Sequence, residues 1–107
     1  MKLNENQVLK IDYKIDLSND RSVVMIDVMG DKSISSFEKI SNVYCIDKKN
    51  NIIWQVKEIG TKVPFDDDGF VYLKKNEIGE IIADRFSGFI YKINPETGEA
   101  TQIGFEK

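Results

Sequence analysis

The densest charged group in this chain is the run Asp66-Asp67-Asp68, which Gly69 follows. Neighbouring carboxylates can meet the basic surface of a partner protein, or they can supply the oxygen ligands that Ca²⁺ prefers. The EF-hand pattern fails here, because aligning the run with it places Pro64 at the first ligand position and Lys75 at the twelfth. A solvated turn before a strand is the third interpretation and the default one. All three stay open at this point, and we predict no metal ligands.

More carboxylates follow the run, across a turn expected at Lys75 and Asn76. If antiparallel pairing brings them to one edge, their repulsion costs stability, and a cationic partner would relieve it. Aromatic side chains nearby could anchor such a partner. The predicted partner-binding residues are Asp66, Asp67, Asp68, Tyr72, Glu77, Glu80, Asp84 and Phe86. The alternative is that the charges form a solvated face and that the aromatic rings pack in the core.

The sequence lacks the residues that most catalytic and metal sites need. Histidine is absent and Cys45 is the only cysteine, which removes the usual imidazole base, the Ser-His and Cys-His nucleophile pairs and His- or Cys-rich zinc sites. Neither a phosphate-binding P-loop nor a G-x-G-x-x-G dinucleotide motif occurs. We therefore expect no catalytic residues, no enzyme activity and no cofactor, and we expect Cys45 to be a buried small apolar residue.

Composition narrows the range of partners. The 107 residues carry a net charge of −3, and their lysines are scattered among carboxylates, so we expect no nucleic-acid partner. The chain has no apolar run long enough for a membrane-spanning helix and no signal peptide at its N-terminus, so we expect no membrane association and a cytoplasmic location. A chain of this length predicts one domain, residues 1–107.

The N-terminal part predicts a hairpin that acts as a cap over residues 7–39. Residues 9–17 alternate between apolar and polar side chains, the pattern of a half-buried strand. Residues 23–29 are almost entirely apolar, which favours a central strand. Residues 33–41 are ambiguous: Ser35 and Glu38 match a helix capping box, but the stretch is short and rich in serine. We expect an irregular strand there, with a short helix as the alternative.

From residue 40 to residue 107 the pattern predicts two blade-like repeats. Strands are expected at 42–47 and 52–58, at 69–74 and 78–86, and at 88–94 and 99–105, with turn residues between the members of each pair. The predicted fold is all-β, with about eight antiparallel strands in two blade-like sheets, as a half-propeller or a β-sandwich.

Two segments echo each other 47 residues apart, so that Tyr44 corresponds to Tyr91 and Asp47 to Asn94. The equivalence predicts that both tyrosines pack between the layers. The sequence N-V-Y-C-I-D at 42–47 with I-I-W-Q-V at 52–56, and G-F-I-Y-K-I-N-P-E-T-G-E at 88–99, resembles the repeats of quinoprotein-type β-propellers. This resemblance implies β-hairpin blades. It implies no quinone cofactor, since two repeats are too few to close the ring that holds one.

Small acidic chains of this kind are also similar to bacterial immunity proteins of contact-dependent inhibition systems. The resulting hypothesis is a non-catalytic antitoxin that occludes a basic cognate toxin, for example a ribonuclease, through its acidic surface. Two alternatives remain: a small-ligand-binding β module, and a propeller fragment that self-associates through its open sheet edges.

Overall fold

The computed structural model describes residues 1–60 and 68–106. In these two segments the chain forms nine strands and two five-residue helices. The helices are α1 (Glu5–Leu9) and α2 (Ser36–Ile40). The strands are β1 (Ile11–Asp16), β2 (Ser22–Ile26), β3 (Val43–Ile46), β4 (Ile52–Gln55), β5 (Lys57–Ile59), β6 (Phe70–Lys75), β7 (Ile81–Arg85), β8 (Phe89–Ile93) and β9 (Glu99–Phe105). The chain is therefore mostly β, as predicted, whereas α1 was not expected and α2 was expected only as the alternative to an irregular strand.

The strands form two open sheets. The first has the order β1-β2-β3-β4 and the second the order β5-β9-β8-β7-β6. All neighbours are antiparallel except β5 and β9, which run parallel. Residues 1–60 and 68–106 contain nine strands, close to the number predicted, and the prediction that all strands are antiparallel is corrected at the pair of β5 and β9. Strands β1–β4 and β6–β9 are each a four-stranded antiparallel meander.

One apolar core lies between the sheets. It contains Met25 and Cys45 from the first sheet and Leu73, Ile81 and Tyr91 from the second. A smaller cluster covers the other face of the first sheet, where the N-terminal segment and α1 supply Leu3 and Val8. Strand β2 is central and its last four residues are buried on both faces, as its apolar sequence predicted. Cys45 is fully buried, and burial raises the pKa of its thiol.

Trp54 joins the two sheets. It lies on β4, and its indole Nε1 donates a hydrogen bond of 2.9 Å to the carbonyl oxygen of Pro95 in the β8–β9 turn. Gly98 in the same turn has a φ of +79°, and a Cβ atom built on it would lie 2.5 Å from the Trp54 ring. Only glycine fits there without strain, because the indole occupies the space of a side chain.

Three of the hairpin turns in the C-terminal part, those after β3, β6 and β8, are closed by the same kind of side-chain hydrogen bond. The side-chain Oδ1 atoms of Asp47, Asn76 and Asn94 each accept a hydrogen bond from the backbone N–H two residues later, at 2.8, 3.2 and 2.8 Å. Such local side-chain bonds are the reason that Asp and Asn favour turns. These turns lie where the sequence predicted them.

The predicted strand at 52–58 is in fact two strands in different sheets. Val56 stands between β4 and β5, and its N–H donates to Val43 in the first sheet. The N–H of the next residue, Lys57, donates to the carbonyl oxygen of Gly98, directly before β9 of the second sheet. The chain thus crosses between sheets at Val56.

The predicted strand at 9–17 is shorter, because Leu9 ends α1 and is exposed. A β-bulge between Ile11 and Tyr13 shifts the register against β2 by one residue. Ile11 consequently joins the outer cluster, whereas Tyr13 packs against the core between the sheets. The prediction that the alternating residues of 9–17 share one face was wrong at this bulge.

Residues 36–40 form a helix, so the expectation of an irregular strand at 33–41 was wrong. Ser35 is the N-cap, and its side chain accepts a hydrogen bond from the N–H of Glu38. The structure thus has the short helix that the capping pattern of Ser35 and Glu38 gave as the alternative.

Tyr44 and Tyr91 do not have the equivalent environments that the echo predicted. Tyr91 faces the core between the sheets, whereas Tyr44 faces the outer cluster under the N-terminal segment. Both lie on the third strand of a meander. In β3, however, the residue that faces the core between the sheets is Cys45, one position after Tyr44, and side chains one position apart on a strand point to opposite faces.

Candidate functional site

The structure describes one member of the acidic run. Asp66 and Asp67 lie outside the described residues, whereas Asp68 is buried two positions before the start of β6. Its carboxylate accepts hydrogen bonds from the N–H of Ser87 at 2.9 Å and from the Ser87 hydroxyl at 2.6 Å. Its main-chain oxygen accepts from the guanidinium of Arg85 at 2.6 Å. Asp68 therefore fixes the β7–β8 turn, and its side chain does not lie on an exposed acidic surface.

Glu77 and Glu80 lie at the β6–β7 turn. Glu77 is exposed, while Glu80 accepts a hydrogen bond from Asn76 Nδ2 at 2.9 Å and pairs with Lys92 Nζ at 3.3 Å. The bond from Asn76, followed by that from Lys92, lowers the pKa of Glu80. Glu80 therefore has its polar partners within the chain, whereas Glu77 makes no ion pair or hydrogen bond with the residues that the structure describes.

Tyr72 and Asp84 are brought together as direct partners on neighbouring strands β6 and β7. Asp84 is half buried, and this burial raises the pKa of its carboxyl group. Lys74 opposes the shift, and the carboxylate of Glu106 adds to it. The Tyr72 ring meets Tyr13 of the first sheet edge-on, with 5.3 Å between centroids. Tyr72 therefore has one side in the packing between sheets and the other in solvent.

Phe86 lies in the β7–β8 turn, two residues beyond Asp84, and its side chain is 68% exposed. Phe105, at the end of β9, is 55% exposed and packs edge-on against Phe89, with 4.8 Å between ring centroids. Strand pairing of Phe89 with Phe105 and a hydrogen bond from Glu106 N–H to the Gly88 oxygen hold β9 beside this turn. We call Phe86, Phe89 and Phe105 the aromatic end of the second sheet.

The predicted residues therefore divide into two groups. Asp84 and Phe86 lie at or next to the aromatic end, whereas Glu77 and Glu80 are at the other end of β7. The separation between Glu80 and Asp84 is four residues, or about 13 Å along a strand. Charge on the outer face of the second sheet is mixed, since Lys74 and Lys92 stand among the carboxylates.

The sequence reasoning missed a buried polar cluster. Arg85 is 2% exposed at its side chain, and its Nη1 donates to the carbonyl oxygens of Ile40, at 3.0 Å, and Asp68. Its guanidinium lies over the Phe70 ring at 4.1 Å and near the Tyr91 ring at 5.0 Å. Glu58 Oε1 is 3.7 Å from Arg85 Nη2. The sequence does contain one signal for this buried cluster. Arg85 stands inside the largely apolar segment I-I-A-D-R-F, in a chain with only one other arginine.

Comparison with known protein families gives one match. The family described as a domain of unknown function, DUF7957, matches residues 2–105. The chain belongs to this family. No curated protein and no solved structure matches it.

The described part of this DUF7957 chain, residues 1–60 and 68–106, contains no group of three or more Cys, Asp or Glu side chains placed to hold a metal ion. In the same segments, none of the helices has the length and apolar character to cross a bilayer. The geometry thus offers two features of interest in this DUF7957 domain: the exposed aromatic end and the buried Arg85 cluster.

Proposed function

We propose that this chain is a non-catalytic protein-binding domain that docks on a partner through the aromatic end of the second sheet. The observation that carries the proposal is the exposure of Phe86 and Phe105 at the same end of one sheet. Large aromatic side chains of this kind supply much of the energy of protein interfaces, because they bury a large area when the partner covers them.

The carboxylates beside the aromatic end indicate which charge the partner's surface is expected to carry. Asp84 is half buried near Glu106, and both burial and the Glu106 carboxylate disfavour its ionised form. A cationic group of a partner would offset this cost and would speed association at low salt. The net charge of −3 points in the same direction. We therefore propose a basic partner.

Most concretely, we propose an immunity protein that occludes a cognate toxin, for example a ribonuclease, in a bacterial contact-dependent inhibition system. The support is the small acidic chain without histidine, together with the exposed aromatic end. In this proposal the aromatic end covers the toxin, and Asp84 and Glu106 face the cationic groove that holds RNA phosphates. The protein acts in the cytoplasm, where it needs no cofactor.

The test uses the toxin encoded beside this gene in the source genome. The purified toxin and this chain are mixed in a titration calorimeter, and protection is measured as growth of cells that express both. Phe86→Ser should weaken binding by at least about 30-fold, which corresponds to the roughly 2 kcal/mol lost at an interface anchor. Asp84→Asn should slow association at low salt and have a smaller effect at high salt.

Phe37 provides the matched control, because it is 62% exposed but lies on α2 in the first half of the chain. Phe37→Ser should leave the affinity for the toxin unchanged. Equal losses from the Phe37 and Phe86 variants, or no binding to the adjacent toxin, would remove the proposal. Light scattering gives a further outcome: a stable dimer that the Phe86 variant abolishes would assign the aromatic end to self-association of a propeller fragment instead.

A further inference from the structure

The first ten residues, which we call the strap, cover part of the outer face of the first sheet. They contain α1 and lead directly into β1. Leu3 is the one buried side chain of the strap, and it packs in the outer cluster with Val24 and Tyr44. Val8 packs against the same cluster but is only half buried. The strap therefore shields an apolar face of the first sheet from water, whereas the aromatic end belongs to the second sheet.

Among the residues that the structure describes, two main-chain hydrogen bonds fix the N-terminal end of the strap to the start of β4. The N–H of Leu3 donates to the oxygen of Asn50 at 3.0 Å, and the N–H of Ile52 donates to the oxygen of Met1 at 2.8 Å. Ile52 lies outside the strap, but its bond is intact only while the strap is closed. The amide of Ile52 therefore reports on the position of the strap.

At the C-terminal end of the strap, the N–H of Asp27 donates to the oxygen of Lys10 at 2.8 Å. The Lys10 ammonium group also pairs with the Asp31 carboxylate at 2.7 Å, but the two side chains are 47% and 19% exposed, so water weakens this pair. Between the two ends, α1 has no buried residue. The hydrogen bonds between Asn4 and Gln7 that cap α1 stay within the strap, so they do not attach it to the sheet.

The middle of the strap is poorly packed. Asn6 and Gln7 of α1 line a cavity of about 330 Å³, together with Ile34 and Glu38 from the segment around the start of α2. Contacts that close packing would supply are missing there. Ordering each residue of the strap costs conformational entropy, and one buried side chain with few outside bonds offsets little of this cost. Terminal segments with so few buried contacts open more readily than the core.

We propose that the strap opens and closes while the rest of the domain stays folded, and that its opening uncovers the apolar outer face of the first sheet. Lys10 is the hinge, because its bond to Asp27 and the strand β1 that follows it stay in place. In the closed state the strap is an autoinhibitory contact, since it withholds Val24 and Tyr44 from a partner. This goes beyond the proposed docking at the aromatic end and does not rest on it.

Amide hydrogen exchange, followed by NMR in the full chain, tests the proposal. The Ile26 N–H donates to the oxygen of Asn42, between β2 and the residue that precedes β3, so it reports on the folded domain, whereas the Ile52 N–H reports on the strap. We expect the Ile52 amide to be protected, yet to exchange at least about 100-fold faster than the Ile26 amide. Low urea should leave the exchange of Ile52 almost unchanged and should speed that of Ile26, because only global unfolding exposes much new surface.

Three variants separate the strap from the rest of the domain. Ile81→Val removes one methyl group from the core between the sheets, so it should speed the exchange of Ile26 by about 2- to 12-fold and leave that of Ile52 unchanged. Leu3→Ala removes apolar atoms from the buried end of the strap and should speed the exchange of Ile52 at least about tenfold. Leu9→Ala is the matched control, because Leu9 is 83% exposed on the same strap and its truncation should change neither rate.

Thiol labelling tests whether opening uncovers the sheet face. Val24→Cys places a thiol in the outer cluster, whereas the natural thiol of Cys45 faces the core between the sheets. A thiol reagent should label the introduced group at least about tenfold faster than Cys45. Equal labelling of the two thiols would overturn the proposal, because the outer face would then stay covered.

Two results of the exchange experiment would also overturn it. Equal exchange of Ile52 and Ile26, with the same response of both to Ile81→Val, would show that the strap opens only with the whole domain. An Ile52 amide without protection would show that the strap does not close over the sheet. Should Leu3→Ala not fold, the unaltered chain and Ile81→Val still decide between these outcomes.

Discussion

Removal of the Asn42 side chain should destabilise the protein strongly, because this one amide links both sheets. Asn42 is 1% exposed and stands just before β3. Its Nδ2 donates to the oxygens of Ile26 at 2.8 Å and Phe70 at 2.9 Å, and its Oδ1 accepts from the Phe70 N–H at 2.9 Å. Ile26 belongs to the first sheet and Phe70 to the second. Asn42→Ala therefore removes three buried hydrogen bonds at the junction of the sheets.

The cost follows from these three bonds. Each net hydrogen bond contributes about 0.5–1.5 kcal/mol, and a buried N–H left without an acceptor, as at Phe70, costs about 1–3 kcal/mol. At the middle of these ranges the three bonds and the unpaired N–H together cost about 5 kcal/mol, a large part of the roughly 5–15 kcal/mol expected for a domain of this size. With a urea dependence of about 1.5 kcal/mol/M, the unfolding midpoint should fall by about 3 M.

Fluorescence of Trp54 during urea unfolding measures this effect. Trp54 is the only tryptophan, and its bond to Pro95 makes it sensitive to separation of the sheets. Asn76→Ala is the matched control, because Asn76 also makes three side-chain hydrogen bonds, but at a turn that water can reach. Its midpoint should fall by less than about 0.7 M, or 1 kcal/mol. A similar small loss for Asn42→Ala would refute the argument that the buried amide links the sheets.

Two further predictions concern a turn and a surface ion pair. Gly98→Ala should lower the free energy of unfolding by about 2–4 kcal/mol, because it combines a positive φ with a clash against Trp54. Gly30→Ala, at a φ of +75° in open space, should lower it by only about 1 kcal/mol in the same urea assay. Equal losses would contradict the clash. The hydrogen bond from Lys10 holds the pKa of Asp31 well below its ordinary value of 3.8. The stability that this bond contributes is present above the ordinary pKa and is lost as pH falls through the lowered pKa. A ¹³C titration should therefore find Asp31 ionised in mild acid, and Lys10→Met should return the pKa of Asp31 toward the ordinary value. An ordinary pKa of Asp31 in the unaltered protein would contradict this.

Local signals were sufficient to predict most strands of the C-terminal part. The turns after β3, β6 and β8 each begin with Asp or Asn, and Pro95 and Gly98 set the last one. These residues act through bonds within a few positions, so the sequence alone carries the information. The apolar part of β2, residues 23–26, was predictable for a similar reason, because a strand buried on both faces has no polar alternation.

Features that depend on distant contacts were not predictable. The short helix α2 has a capping signal at Ser35, but a helix of five residues needs tertiary support, which Arg85 gives through its bond to Ile40. The division of 52–58 at Val56 depends on hydrogen bonds to both sheets, at Val43 in one direction and Gly98 in the other. Nothing within a few residues of these positions indicates such partners.

The candidate site was predicted only in part, for the same reason. Of the predicted partner-binding residues, Asp84 and Phe86 lie near each other, because they are two positions apart on one hairpin. Asp68 looked exposed in a run of carboxylates, but its hydroxyl and N–H partner, Ser87, is nineteen residues away. Glu58 and Arg85 meet across 27 residues, and a pairing at that distance leaves no periodic pattern.

The unequal covering of the two sheets is a further argument for where the proposed partner would bind. The first sheet is buried on both faces, since the second sheet covers one and the N-terminal segment with Leu3 and Val8 covers the other. In the part of the chain that the structure describes, no comparable apolar cluster covers the outer face of the second sheet, where Tyr72 and Lys92 are exposed. A partner that docks on the first sheet must displace a packed segment, whereas none of the residues 1–60 and 68–106 covers Phe86 and Phe105 at the aromatic end. Exposed apolar side chains at that end therefore favour binding there, because association removes them from water without unfolding any part of the domain.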